Sequence, residues 1–247
     1  MKALYEKSEI SFALAWIVAY CVLASLGDYL SDIIGVQKMI TLPILILLSG
    51  TLFYFVRNHQ LLETYGLCKS EIPVSKMLYY IPLAALLTVN LWEGFGIKMS
   101  VPETLFYMLS MLCVGFLEEM IFRGFLFCAM AKNDIKSAVL VSSITFGIGH
   151  LVNLINGSGA ELLPNLLQVI YAMAAGFLFV MIFYKTKSLI PCILTHGVFN
   201  ALSVFVNEEA MTAQKNLISC LFMVVICGTY AWYITMKIKN QSKRMTQ

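Results

Sequence analysis

Two adjacent carboxylates and an arginine, Glu118, Glu119 and Arg123, lie in the run EEMIFRGFLF, whose other residues suit hydrocarbon. A charge at the centre of a membrane helix costs roughly 2.5 to 3.5 kcal/mol on insertion scales, so a cluster of three calls for a purpose. Two of the three histidines, His150 in FGIGH and His196 in THGVFN, sit in equally apolar runs, and Asn200 follows His196 by four positions. A Glu with a His can activate water, and a His with an Asn can donate hydrogen bonds to the oxyanion formed when that water attacks an amide carbonyl. Together they make a peptide-hydrolysis site that needs no Ser or Cys nucleophile. Glu118, His150 and His196 also amount to two His and one Glu, the ligand types of a catalytic zinc, although HExxH spacing is absent. The expectation is a site without cofactor or metal, with a divalent metal such as zinc held by those three as the alternative. His59, beside Arg57, reads as a solvated linker histidine.

Helical spacing suggests a division of labour. Glu119 and Arg123 are four apart with the acid N-terminal, the favourable order for an intrahelical ion pair. Glu118 is turned about 100° onto a neighbouring face, which leaves it free for proton transfer. His196 and Asn200 share a face and can point into one cavity. Phe146 lies one turn before His150 and can buttress its ring, while Gly147 and Gly149 leave room for close helix approach or a water. Ser142, Ser143 and Cys113 are near in sequence, but their spacing assigns no triad.

The elements that must position these groups are membrane helices. The chain has 247 residues, 60% hydrophobic and 13% charged, against about 25% charged in ordinary soluble domains; its mean hydropathy is +0.80. One membrane-embedded, all-α domain covering 1–247 is expected, with no separate soluble domain. The net charge of +3 gives no basic surface for nucleic acid, so the expected partners are the lipid bilayer and a membrane-associated peptide or protein. Six of the seven cysteines lie in apolar runs and no pair has CxxC spacing, so they read as small buried hydrophobes.

Eight spans are predicted, a polytopic helix bundle: 10–27, 39–56, 77–92, 104–131, 137–155, 165–184, 188–206 and 216–236. The third is short and carries Pro82. Turn and cap chemistry marks the linkers Ser100-Val101-Pro102, Lys132-Asn133-Asp134, Asn156-Gly157-Ser158-Gly159 and Lys185-Thr186-Lys187-Ser188. With eight spans both termini share a side. Of 17 Lys and Arg residues, thirteen fall on that side, Lys38, Lys98 and Lys215 on the other, and Arg123 within a span. By the positive-inside rule both termini are cytoplasmic in a multi-pass protein of the cell membrane. The first 27 residues also resemble a signal peptide, but Glu6 and Glu9 favour a retained helix. At a rise of about 1.5 Å per residue, Glu118 and His150 lie roughly 20 Å from the cytoplasmic ends of their spans, Asn200 roughly 18 Å, and His196 and Arg123 roughly 12 Å. Three helices can thus bring polar groups to overlapping depths.

Glu118-Glu119-Met120-Ile121-Phe122-Arg123 resembles the EExxxR motif, Phe146 to His150 the FxxxH motif, and His196 to Asn200 the HxxxN motif of the CPBP family, the type II CAAX prenyl proteases and bacteriocin-processing enzymes also called Abi. Lys187-Ser188-Leu189-Ile190-Pro191 also looks like that family's approach to its third motif. The resemblance is strong over 104–206, the expected catalytic core. It implies an all-α intramembrane endopeptidase in which Glu118 and His150 activate water and His196 and Asn200 form the oxyanion site, with Glu119 and Arg123 supporting structure or binding substrate. Two other readings stay open: a non-enzymatic bacteriocin-immunity or scaffold protein, and a proton-coupled transporter using Glu118, His150 and His196 as a relay. For the transporter no internal repeat is visible.

Overall fold

The structure, a computed structural model, describes residues 1–156 and 160–245. Its regular elements are helices; among the described residues no sheet forms, although an isolated antiparallel bridge joins Phe95 to Val206. In chain order they are α1 (Lys2–Lys7), α2 (Glu9–Ile34), α3 (Thr41–Asn58), α4 (Ile81–Leu87), α5 (Val101–Glu118), α6 (Cys128–Ala131), α7 (Ile135–Gly149), α8 (Leu162–Thr186), α9 (Ile190–Leu202) and α10 (Ala213–Met245). Between α5 and α6 the helix does not break but widens into π-type turns over Glu119–Phe127.

The expected caps form. Ser100 and Glu103 close a capping box on α5 with Pro102 in its first turn, and the Asp134 carboxylate accepts from the backbone N–H groups of Lys136 and Ser137 at the start of α7. Lys187, at φ 58°, ends α8. Of the expected turn at 156–159, residues 157–159 lie outside the described residues.

Among the described residues, seven helices are long and apolar enough to cross a membrane: Glu9–Ile34, Thr41–Asn58, Val74–Leu91, Val101–Ala131, Ile135–Leu154, Leu162–Thr186 and Ala213–Lys237. The segment expected to be a seventh span of eight, 188–206, is a shorter apolar helix, Ile190–Phe205. The third span is irregular: Leu78, Tyr79 and Tyr80 have φ of 51°, 53° and 56°, a left-handed kink before α4, and Pro82 sits in the first turn of α4, where its missing N–H costs nothing. Large apolar side chains such as Val18, Leu47 and Leu221 point outward and are more than half exposed, as a lipid-facing surface requires.

α5 packs closely on α9, and α8 lies between α7 and α10. Glycines set two of these approaches. A Cβ added at Gly115 would lie 2.5 Å from the backbone nitrogen of Gly197, and one at Gly147 would meet Val169 O at 2.9 Å. Gly147 therefore does allow the close approach read from the sequence, whereas Gly149 faces open space. Because α9 carries His196 and Asn200, Gly115→Ala should push them out of register and destabilise the bundle by about 1–3 kcal/mol, the usual cost of overpacking. Gly228→Ala, with nothing within 4 Å, is the control; thermal unfolding in detergent separates the two.

Candidate functional site

The charged run forms the centre of the site. The Glu119 and Arg123 side chains are fully buried, and Arg123 Nη1 donates to Glu119 Oε1 at 3.1 Å, the ion pair expected from the spacing. The guanidinium carbon of Arg123 lies 3.9 Å from the ring centroid of Phe146, a cation–π contact on α7. Gly176 of α8 leaves the guanidinium its space, since a Cβ there would come within 3.0 Å of Nη2.

Glu118 is turned away from this pair. Its Oε1 accepts a hydrogen bond of 2.7 Å from the Tyr20 hydroxyl on α2, while Oε2 has no hydrogen-bond partner and lies 3.4 Å from His196 Nε2. His196 stands between the two carboxylates, because its Nδ1 is 2.8 Å from Glu119 Oε1. An ionised carboxylate can only accept, so Nδ1 carries a proton, and Nε2 faces Glu118.

His150 follows directly on α7. Its Nδ1 is 3.1 Å from the Phe146 carbonyl oxygen, so that nitrogen donates and Nε2 keeps its lone pair. The Phe146 ring stands edge-on to His150 with centroids 5.1 Å apart, the buttress expected from the sequence, and also edge-on to His196 at 5.6 Å. Asn165 of α8 donates to the His150 carbonyl at 2.9 Å.

Glu118, His150 and Asn200 line one cavity of about 360 Å³. A smaller adjoining one of about 60 Å³ is lined by His150, His196 and Asn200 with Phe146 and Phe179. The structure thus brings all six sequence-predicted residues into one neighbourhood: four line the cavities, and Glu119 and Arg123 lie behind them. Ser142 and Ser143 donate to the carbonyls of Phe122 and Val139, and His59 Nδ1 donates to Phe55 O at the end of α3, so none of these joins the site.

Two members had no sequence signal. Tyr20 is one aromatic among many in α2, and Asn165 lies in no motif. Among the described residues, no three His, Cys, Asp or Glu side chains are grouped to hold a metal ion; Glu118, His150 and His196 do not form a ligand set as they stand. Chemically, the arrangement offers a partnered carboxylate, an imidazole with a free nitrogen and an amide around a space large enough for water and an extended backbone.

Residues 100–202 match the family model described as Rce1-like, type II CAAX prenyl endopeptidase. No curated protein and no solved structure gives a significant match to the chain.

Proposed function

We propose, from the match of residues 100–202 to the Rce1-like family of type II CAAX prenyl endopeptidases, which is the CPBP family, that this multi-pass membrane protein is an intramembrane endopeptidase with Glu118 as its base. The observation that carries this reading is the setting of Glu118: one oxygen is fixed by Tyr20, the other faces His196, and the carboxylate lines a cavity shared with His150 and Asn200.

In the proposed reaction a water held between Glu118 and His150 gives its proton to Glu118 as its oxygen attacks the scissile carbonyl. The Asn200 amide and His196 Nε2–H donate to the oxyanion. Nε2 carries that proton when the imidazole is doubly protonated, and Glu119 on one side and Glu118 on the other balance its charge. When the tetrahedral intermediate collapses, the C–N bond breaks and Glu118 passes its proton to the leaving amine.

Comparing peptide fragments by mass spectrometry in membranes carrying the wild-type or the Glu118→Gln protein tests this. Fragments present in both would argue instead for an immunity or scaffold role. Activity in purified protein is expected to persist in EDTA; full loss, restored by zinc, would reassign the histidines as ligands. Tyr20→Phe keeps the ring and deletes the hydroxyl. A hydrogen bond to a charged group contributes about 1.5–3 kcal/mol, so kcat should fall roughly 10- to 100-fold with KM little changed.

A further inference from the structure

The catalytic cavity has a direction. Its wall includes Asp28, Lys38, Asn90, Asn153, Asn156 and Ser203. Asp28 lies near the end of α2 and Lys38 in the α2–α3 connection, Asn90 lies in the α4–α5 connection, Asn153 and Asn156 in the α7–α8 connection, and Ser203 follows α9. These four places belong to the same end of the bundle, the end opposite the chain termini. The cavity's lining draws nothing from 59–73, 132–134 or 187–189, the connections at the terminal end. A separate cavity of about 330 Å³ lies at that end, lined by Glu63, Lys132 and Lys187 among others, and shares no lining residue with the one at Glu118; beneath the site Phe12, Phe55, Tyr65 and Phe125 are each at most 4% exposed and meet edge-on or tilted at 4.9–5.1 Å.

Charge is unequal between the same two ends. Thirteen of the 17 Lys and Arg residues lie toward the terminal end, while Lys38, Lys98 and Lys215 lie toward the opposite end, and of these three Lys38 lines the cavity. Lys38 is held by Asp28 at 2.7 Å and Lys215 is paired with Glu93. An excess of Lys and Arg marks the cytoplasmic side of a membrane protein.

We infer that the proteolytic cavity opens on the non-cytoplasmic face, so that its substrate is a peptide segment presented from that face, exported or anchored in the outer leaflet, and not the C-terminus of a cytoplasmic prenylated protein. This rests on the endopeptidase reading for the word substrate; the orientation stands on the fold and the charges. A cavity reaching Glu118 from the basic side would have to pass the packed aromatic layer.

Reporters with one added cysteine each, beside the seven native ones, test it. Ile97→Cys lies in the α4–α5 connection at the mouth end, where the native side chain is 72% exposed; Lys69→Cys lies at the terminal end, also exposed. Spheroplasts of a bacterial expression host are treated with a membrane-impermeant maleimide, and the label gained over the parent chain is read by mass. Ile97→Cys should gain one label in sealed spheroplasts and Lys69→Cys only after permeabilisation. The reverse pattern, or labelling of both in sealed spheroplasts, overturns the inference. Labelling needs no catalysis, so the expected pattern in a protein that cleaves nothing would uphold the orientation and fail the protease reading.

Discussion

Glu118→Gln should lower the rate of peptide cleavage by about 10²–10⁴-fold, the usual contribution of a positioned acid–base group, while the protein remains folded. Glutamine has the same shape and can still accept the hydrogen bond from Tyr20, so packing against α2 is preserved. What it loses is the capacity to take a proton from water. KM should change little, because the lost interaction operates on the reacting water and is stronger in the transition state than in the ground state. Steady-state kinetics on a peptide substrate, with thermal unfolding run beside it, checks both halves. A Gln variant within a factor of a few of wild-type kcat would move the base elsewhere, with His150 the first candidate.

Arg123→Ala should be the most damaging single change to stability. Removing one partner of a buried ion pair leaves the other charge uncompensated, at a cost of about 3–5 kcal/mol, and here both side chains are fully buried. Arg123 also packs on Phe146, so truncation opens a void beside the ring that buttresses both site histidines. The double variant Glu119→Gln with Arg123→Met removes both charges and keeps the volume; it should recover much of the stability. Its activity should stay low, since glutamine still accepts from His196 Nδ1 but no longer supplies the charge that balances the imidazolium of the proposed oxyanion site. Unfolding midpoints for the two variants in the same detergent decide this: if the double variant is no more stable than Arg123→Ala, the damage comes from packing and not from charge.

The candidate site residues were legible because membrane interiors make polar groups conspicuous, and helical spacing told which of them share a face. The Glu119–Arg123 pair and the Phe146 buttress follow from offsets of four alone. Pairings between distant helices are another matter. Tyr20 and Glu118 are 98 positions apart, and no local period says that α2 will set that hydroxyl against that carboxylate. Spacing likewise grouped His196 with Asn200, yet it could not reveal that the imidazole bridges two glutamates on α5 and the wide turns beyond it. The widening over Glu119–Phe127 has no periodic signature in a run of nine mostly apolar residues, although such turns gather at functional sites. Hydropathy predicted 188–206 as a full span, whereas Ile190–Phe205 is a shorter helix: apolar character fixes that a segment is buried, not how far it reaches.

The layer formed by Phe12, Phe55 and Phe125 beneath the site also has an electrical meaning. A cavity that admits water to mid-bilayer from one end shifts most of the transmembrane voltage onto the dry half, where moving one elementary charge costs about 2.3 kcal/mol per 100 mV. The aromatic rings give protons and ions no polar stepping stones through that half, and the Glu119–Arg123 pair at its edge is neutral as a unit. In the proposed protease, water would therefore reach the middle of the membrane while the ion gradients across it are kept.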